Sequence, residues 1–223
     1  MTVEVETQIR QSILLVDDHP LVRDGLTQLI NQEPDLWVCA EAADAAEAYA
    51  EIIRSRPDAV IVDLSLHGDS GLDLVKRMQG LPQPPAVLVL SMHDEAFYAE
   101  RSLRAGALGY VMKSETSGKV IEGLRQVLQG QLFVSPAIAA KAAEKFLLTR
   151  TSGAGSTVDI LTDREIDVFR RIGHGEENRR IAEDLGLSLK TVQSHCAHIK
   201  QKLGFENATV LMREAVRWVD RQR

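Results

Sequence analysis

Five short apolar runs alternate with amphipathic stretches over residues 1–130 of the chain. Each run has four to six residues, is rich in β-branched side chains and is bounded by Pro, Gly, Asp or Ser. Continuous apolar runs of this length are typical of strands buried on both faces of a sheet, whereas the stretches between them have the spacing of helices. The runs are Ile13–Val16, Leu36–Cys39, Ala59–Val62, Ala86–Leu90 and Ala107–Met112.

The order of these elements predicts the fold of the first domain. Strands that alternate with helices predict an α/β doubly wound, five-stranded parallel sheet over residues 1–130. A linker is predicted at 131–158, where Ser135 and Pro136 fit the N-cap and first position of a helix over 136–148. A Gly-, Ser- and Thr-rich stretch after that helix indicates a flexible connection to a second domain.

Every pattern after the linker is helical, which predicts a small all-α four-helix domain over residues 159–223. Thr162 and Glu165 have the spacing of a capping box at the start of its first helix. The second and third helices, at about 176–185 and 188–203, are separated by a Gly-Leu pair. This spacing is typical of a helix-turn-helix, with one further helix completing the domain.

Composition limits the class of protein. The chain has 223 residues, of which 44% are hydrophobic and 26% charged, and this excludes a disordered or fibrous chain. No apolar run approaches the roughly 18 residues of a membrane span, and the N-terminus does not resemble a secretory signal. The distant Cys39 and Cys196 predict neither a disulfide framework nor a metal site. We therefore expect a cytoplasmic protein without membrane contact.

The two parts of the chain differ in charge. Residues 1–150 contain 14 Lys and Arg against 21 Asp and Glu, a net charge of −7, whereas residues 151–223 contain 12 against 11, a net charge of +1. Although the whole chain carries −6, its second part has no excess of negative charge to repel a polyanion. A nucleic-acid contact is therefore expected only in the second domain.

Residues suited to phosphoryl chemistry follow four of the predicted strands. Asp17 and Asp18 follow the first strand, Asp63 the third, Ser91 the fourth and Lys113 the fifth. A single Asp at a strand end usually forms a turn or a helix cap, but five suitable residues favour a site at this edge of the sheet. Clustered carboxylates require a hard cation such as Mg²⁺. The set suits phosphoryl transfer to a carboxylate.

Two enzyme classes with related chemistry do not fit the spacing. Phosphatases of the haloacid dehalogenase type have Asp-x-Asp after the first strand, whereas here Asp17 and Asp18 are adjacent and are followed by His19. A flavodoxin needs a Ser-, Thr- and Gly-rich phosphate loop there, and two carboxylates would repel the FMN phosphate. The spacing therefore fits neither of these two enzyme classes.

Four segments together resemble the receiver domain of bacterial two-component response regulators, which has a flavodoxin-like fold. They are ILLVDDHP at 13–20, VDLSLHGDSG at 62–71, SMHD at 91–94 and GALGYVMK at 106–113. The resemblance implies that Asp63 is the phosphoacceptor. It also implies that Mg²⁺ binds through Asp17, Asp18, Asp63 and the backbone carbonyl of Ser65, and that the phosphoryl-sensing switch comprises Ser91, Tyr110 and Lys113.

The third helix of the second domain has one apolar stripe and one small, polar face. Its stripe is Val192, Cys196, Ile199 and Leu203, and between Gly186 and Gly204 there are three lysines and no acidic residue. A helix face that is only exposed to solvent would have a similar sequence pattern, but the absence of acidic residues favours a face that binds DNA.

The segments LTDRE at 161–165, NRRIA at 178–182 and LSLKTV at 187–192 resemble the LuxR-type helix-turn-helix. With the receiver, they identify the chain as similar to the NarL/FixJ class of response regulators. The resemblance implies DNA contacts by Gln193, Ser194 and Ala197 at the bases and by Lys190, Thr191, His198, Lys200 and Lys202 nearer the phosphates. It implies dimerisation through Val210, Leu211 and Trp218.

The resulting prediction is a transcription regulator switched by phosphorylation of Asp63 by a sensor histidine kinase. Once phosphorylated, it would bind double-stranded DNA as a homodimer, on an inverted repeat. Two alternatives stay open. One is a regulator that switches without phosphorylation. The other is a protein-interaction module whose helix-turn-helix does not bind DNA, since Gln193 and Ala197 stand where members of the class often have lysine.

Overall fold

The computed structural model describes residues 10–66, 70–93, 95–140 and 160–220. The chain divides into two compact units, Met1–Phe146 and Leu147–Arg223. Among the described residues, no helix combines the length and apolarity that a membrane crossing requires.

The first unit contains a parallel sheet in which all five predicted strands are present. Their spatial order is β2-β1-β3-β4-β5, which is the flavodoxin-like doubly wound order. The predicted fold class is therefore confirmed. The strands are β1 (Gln11–Val16), β2 (Leu36–Ala42), β3 (Ala59–Val62), β4 (Ala86–Ser91) and β5 (Gly109–Met112).

Five helices cover the two faces of this sheet, and their ends follow from local sequence. Asp44 caps the second helix by accepting hydrogen bonds from two backbone N–H groups, those of Ala46 and Glu47. Ser70 caps the third helix by accepting from the N–H of Asp73. The helices are α1 (Pro20–Asn31), α2 (Ala45–Ser55), α3 (Gly71–Met78), α4 (Glu95–Ala105) and α5 (Ser117–Leu128).

The core of this unit lies between the sheet and its helices. All four residues of β3 are buried, as a central strand covered on both faces requires. On one face, α1 and α5 pack against the sheet through side chains such as Ile30 and Leu124, which are fully buried. The rigid sheet fixes the positions of the strand ends, where the candidate site lies.

The segment after α5 extends the sheet beyond β5, which the sequence pattern did not predict. Phe133 donates a backbone hydrogen bond to Leu108, at 2.9 Å, and accepts one from Tyr110, also at 2.9 Å. Ser135 then caps a helical segment at 136–140 by accepting from the N–H of Ile138. The rest of the predicted 136–148 helix and the Gly-, Ser- and Thr-rich stretch lie outside the described residues.

The second unit is helical, and its caps match those expected from the sequence. Thr162 and Glu165 form the capping box, Ser188 accepts from the N–H of Thr191, and Gly204 ends the third helix of the unit in the left-handed conformation. The helices are α6 (Asp163–Gly173), α7 (Asn178–Asp184), α8 (Leu189–Leu203) and α9 (Ala208–Asp220). The limits proposed for the two domains and the linker stay predictions.

The start of α3 approaches the end of β3 so closely that only glycine fits at position 71. A Cβ atom on Gly71 would lie 2.1 Å from the carbonyl oxygen of Asp63 and 2.8 Å from Cα of Leu64. The N–H of Gly71 donates to the carbonyl of Leu64, at 3.1 Å, which holds the two segments together. A side chain at this position would push the end of β3 away from α3.

We predict that Gly71→Ala lowers the unfolding free energy by about 1–3 kcal/mol, the usual cost of overpacking. The matched control is Gly25→Ala inside α1, where the added methyl meets no atom within 4 Å. It should raise stability by about 0.5–1 kcal/mol, because glycine is unfavourable within a helix. Calorimetric melting of both variants measures the difference, and equal shifts would contradict the close approach.

Candidate functional site

Three carboxylates meet where β1 and β3 end. Asp17 and Asp18 follow β1 directly, Asp63 follows β3, and the two strands are neighbours in the sheet. The side chains of Asp17, Asp18 and Asp63 are only 4%, 9% and 3% exposed. Together with His19, they offer four ligand atoms within 4.8 Å of one another. The adjacent strands therefore bring the carboxylates together, as their places in the sequence predict.

Lys113 lies between two of these carboxylates. Its Nζ atom is 2.6 Å from Oδ2 of Asp17 and 2.7 Å from Oδ2 of Asp63. Burial lowers the pKa of Lys113, but the two carboxylates outweigh this effect and raise the pKa overall. The side chain is therefore a permanent cation at neutral pH, and it offsets part of the carboxylate charge.

Asp63 combines burial with a fixed orientation. Burial raises its pKa, and the charge of Asp17 acts in the same direction, while Lys113 opposes both. One carboxylate oxygen, Oδ1, accepts a hydrogen bond from the N–H of Ser65 at 3.1 Å, whereas Oδ2 contacts Lys113. Both oxygens therefore have defined partners, which suits a carboxylate that attacks in one direction.

The donor set fits a hard divalent cation. Carboxylate oxygens are the ligands that Mg²⁺ prefers, and a dication would relieve the repulsion among the three carboxylates. The ring of His19 lies beside the same carboxylates, with its Nδ1 atom 2.6 Å from Oδ1 of Asp18 and 3.2 Å from Oδ1 of Asp17. The sequence did not indicate His19 as a member of this cluster.

Two of the three residues of the predicted switch, Ser91 and Tyr110, contact His93, which the sequence analysis did not single out. Ser91 is fully buried, and its hydroxyl accepts from the N–H of His93 at 3.1 Å. The Tyr110 hydroxyl donates to the carbonyl of His93 at 2.8 Å. The His93 ring lies 2.8 Å from the hydroxyl of Ser65 and stacks on Tyr98. The loop after β4 is thus tied to β3 and to β5.

Helix α8 of the second unit buries one stripe and exposes the opposite face. Val192 and Ile199 are fully buried. The N-terminal half of the face predicted to bind DNA is open to solvent: Lys190, Gln193, Ser194 and Ala197 are exposed, and Thr191 is half-buried. An exposed helix face with small and polar side chains is suited to enter the major groove of DNA.

The basic residues near the end of α8 differ in their surroundings. Lys202 donates to Oε2 of Glu165 at 2.6 Å, so part of its charge is neutralised within the unit. His198 is 58% exposed and lies 3.9 Å from Oε1 of the same carboxylate. Lys200, on the other side of the helix end, is half-buried. Lys202 therefore adds less positive potential to this face than its position in the sequence suggests.

The three residues predicted to pair subunits occupy different environments in α9. Leu211 is 3% exposed and belongs to the core of its own unit, which argues against a direct contact with a second copy. Val210 is half-buried, and Trp218 is half-buried against the ring of Phe169, with ring centroids 5.6 Å apart. The exposed apolar side chains of this helix are those of Met212 and Val216.

Comparison with known families assigns both parts of the chain. Residues 13–125 match the family model described as the response regulator receiver domain. Residues 159–215 match the model described as bacterial regulatory proteins of the luxR family. These matches agree with the two resemblances drawn from the sequence motifs.

Proteins similar to this chain match it over most of its length. The oxygen regulatory protein NreC of Staphylococcus carnosus is 34% identical over 209 residues, which cover 92% of this chain and 96% of that protein. A LuxR-family two-component response regulator from Aurantimonas sp. SI85-9A1 is 37% identical, with a TM-score of 0.57 over 62% of this chain and 99% of that structure. RcsB from Salmonella enterica serovar Typhimurium, at 24% identity, shares the fold with a TM-score of 0.56 over 92% of this chain and 97% of that structure.

Proposed function

The chain belongs to the two-component response regulators that join a receiver domain to a LuxR-type DNA-binding domain, and we propose that phosphorylation of Asp63 controls its binding to DNA. Members of this family regulate transcription. The observation that carries the proposal is the position of Asp63, which is 3% exposed and lies among two further carboxylates and a lysine. We propose no enzymatic activity beyond the uptake of the phosphoryl group.

In the proposed reaction, a carboxylate oxygen of Asp63 attacks the phosphorus of a phosphohistidine on a sensor histidine kinase, and the histidine leaves. Lys113 is placed to pair with a phosphoryl oxygen, because its ammonium already contacts Asp63. Receiver domains generally bind Mg²⁺ at this site, where the cation neutralises phosphoryl oxygens. We infer that Asp17, Asp18, Asp63 and the backbone carbonyl of Ser65 hold it here.

We propose that Ser91 and Tyr110 sense the phosphoryl group. The Ser91 hydroxyl now accepts a hydrogen bond from the N–H of His93, and it would turn to donate to a phosphoryl oxygen on Asp63. That movement would disturb His93, whose carbonyl is the acceptor for the Tyr110 hydroxyl. Helix α4 starts two residues later, at Glu95, so a shift of His93 would reach the α4 surface.

The second unit would read DNA through the exposed face of α8. Gln193, Ser194 and Ala197 are placed for base edges: a Gln amide pairs with adenine, and an Ala methyl contacts the thymine methyl. Lys190, Thr191, His198, Lys200 and Lys202 would lie nearer the phosphates. Pairing of two copies through α9, with Val210 and Trp218 at or near the contact, would suit an inverted repeat.

The proposed setting is the cytoplasm, where both partners meet. The phosphorylated histidine of a sensor kinase and double-stranded DNA are both reached there by a protein that is not embedded in a membrane.

The link between phosphorylation and DNA binding is the part that distinguishes this proposal from a regulator that switches without phosphorylation. The two halves of the proposal therefore need separate tests.

The phosphoacceptor is tested with Asp63→Asn. A neutral amide is a poor nucleophile, so the variant should take up no phosphoryl group from a small-molecule phosphoryl donor with Mg²⁺, as measured by intact mass. Asp73→Asn is the matched control, because Asp73 is an exposed carboxylate of the same unit that pairs with Lys76. Uptake by the Asp63 variant at the rate of the parent chain would refute the assignment.

The DNA contact is tested with Lys190→Ala in the full chain loaded with beryllofluoride. Loss of one phosphate contact releases fewer counterions, so the slope of log affinity against log salt should fall by about 1 for each subunit bound. Lys76→Ala, which removes an exposed lysine from α3, should leave the slope unchanged. An unchanged slope for the Lys190 variant would remove this residue from the interface.

A further inference from the structure

The second unit contains a group of side chains able to ligate a metal ion, and the proposed function gives this group no metal-binding role. Glu165 lies near the start of α6, while His195 and His198 lie one turn apart on α8. Each of the three offers a ligand atom, and these atoms all lie within 4.8 Å of one another. Two imidazoles on adjacent turns of one helix, facing a carboxylate from another helix, form a typical arrangement for a transition-metal ion.

The carboxylate of Glu165 is held in place and has one oxygen directed towards the imidazoles. Its Oε2 atom accepts hydrogen bonds from the N–H of Thr162, at 2.7 Å, and from Nζ of Lys202, at 2.6 Å. Its Oε1 atom lies 3.9 Å from Nδ1 of His198. The side chain is 3% exposed, so it keeps this orientation. Outer hydrogen bonds of this kind orient the ligands of metal sites.

The two imidazoles differ in how much of each ring is exposed to solvent. His195 is half-buried, and burial lowers its pKa, which favours the neutral ring that a metal ion binds. His198 is 58% exposed, so its ring lies mostly in solvent. A tetrahedral zinc ion with ligand atoms at about 2.0–2.2 Å from the metal needs those ligand atoms to lie about 3.3 Å from one another. Rotation of the exposed His198 side chain would bring its ring closer to Glu165.

We propose that Glu165, His195 and His198 form a binding site for Zn²⁺ or a similar nitrogen-preferring divalent ion, with water as the fourth ligand. The ion would link the start of α6 to α8. It would also hold the His198 ring at Glu165 and so withdraw it from any phosphate. Metal binding in the second unit would thereby affect DNA binding by α8 separately from phosphorylation of Asp63.

Ligand chemistry separates this site from the carboxylate cluster of the first unit. Asp17, Asp18 and Asp63 offer oxygen atoms, which suit Mg²⁺, whereas two imidazole nitrogens favour ions such as Zn²⁺ and Co²⁺. Lys202 sets the affinity at the new site, because its ammonium shares the Glu165 carboxylate with the ion. Moderate affinity is therefore expected, and it should increase when the ammonium is removed.

The test is a titration of the full chain with Co²⁺, with excess Mg²⁺ present to fill the carboxylate cluster. Four-coordinate Co²⁺ absorbs visible light much more strongly than six-coordinate Co²⁺, so the expected result is an intense band that Zn²⁺ then abolishes. His198→Asn should weaken Co²⁺ binding by at least about tenfold, because even the loss of an outer hydrogen bond can cost that much. Since His198 is exposed, its loss should not prevent folding.

Three further variants identify the site. His174→Asn alters an exposed histidine of the same unit and should leave the band unchanged. His19→Asn reports on the carboxylate cluster and should also leave it unchanged, because His19 belongs to the other group. Lys202→Gln should strengthen binding, since it removes the competing charge. Circular dichroism confirms that each variant is folded.

Two outcomes would overturn the proposal. Absence of an intense Co²⁺ band in the full chain would mean that Glu165, His195 and His198 form an ionic network only. A band that is lost in the His19 variant and kept in the His198 variant would place the ion at the carboxylate cluster of the first unit. Neither outcome bears on phosphorylation of Asp63, which is measured separately.

Discussion

Three carboxylates that are close together and almost withdrawn from water need positive charge beside them to remain ionised, and Lys113 supplies it from the end of β5. Its contacts with Asp17 and Asp63 join the ends of three strands that are distant in sequence. The parallel sheet places those strand ends, and therefore their carboxylates, at one edge. The rest of the receiver arrangement depends on the contacts of Lys113, because they offset part of the negative charge at that edge. A phosphoryl group on Asp63 would offer Lys113 a new partner beside the carboxylate that it already contacts.

The second unit is organised around another buried carboxylate, that of Glu165. The same side chain completes the capping box with Thr162 and pairs with Lys202 near the end of α8. It therefore fixes the start of α6 relative to the helix that we propose enters the major groove. Both units use one buried charge to position an element that function requires, at the cost of desolvating that charge.

The sequence predicts those features that depend on local pattern or on the position of a residue along a strand. Asp17 and Asp63 meet because residues at the carboxyl ends of neighbouring parallel strands must meet, and the cap at Ser188 follows from its own side chain. It did not predict that Ser91 and Tyr110 both contact His93, or that Lys202 pairs with Glu165. These contacts depend on loop geometry and helix packing, which hydrophobic periodicity does not encode.

The most direct test of the central claim, that phosphorylation of Asp63 controls DNA binding, is selection from a random duplex pool by the full chain. The selection is made with Mg²⁺, with and without beryllofluoride as the mimic of the phosphoryl group. We predict enrichment of an inverted repeat only with beryllofluoride. Equal enrichment in both conditions would contradict control by phosphorylation, and no enrichment in either condition, from folded protein, would contradict DNA binding itself.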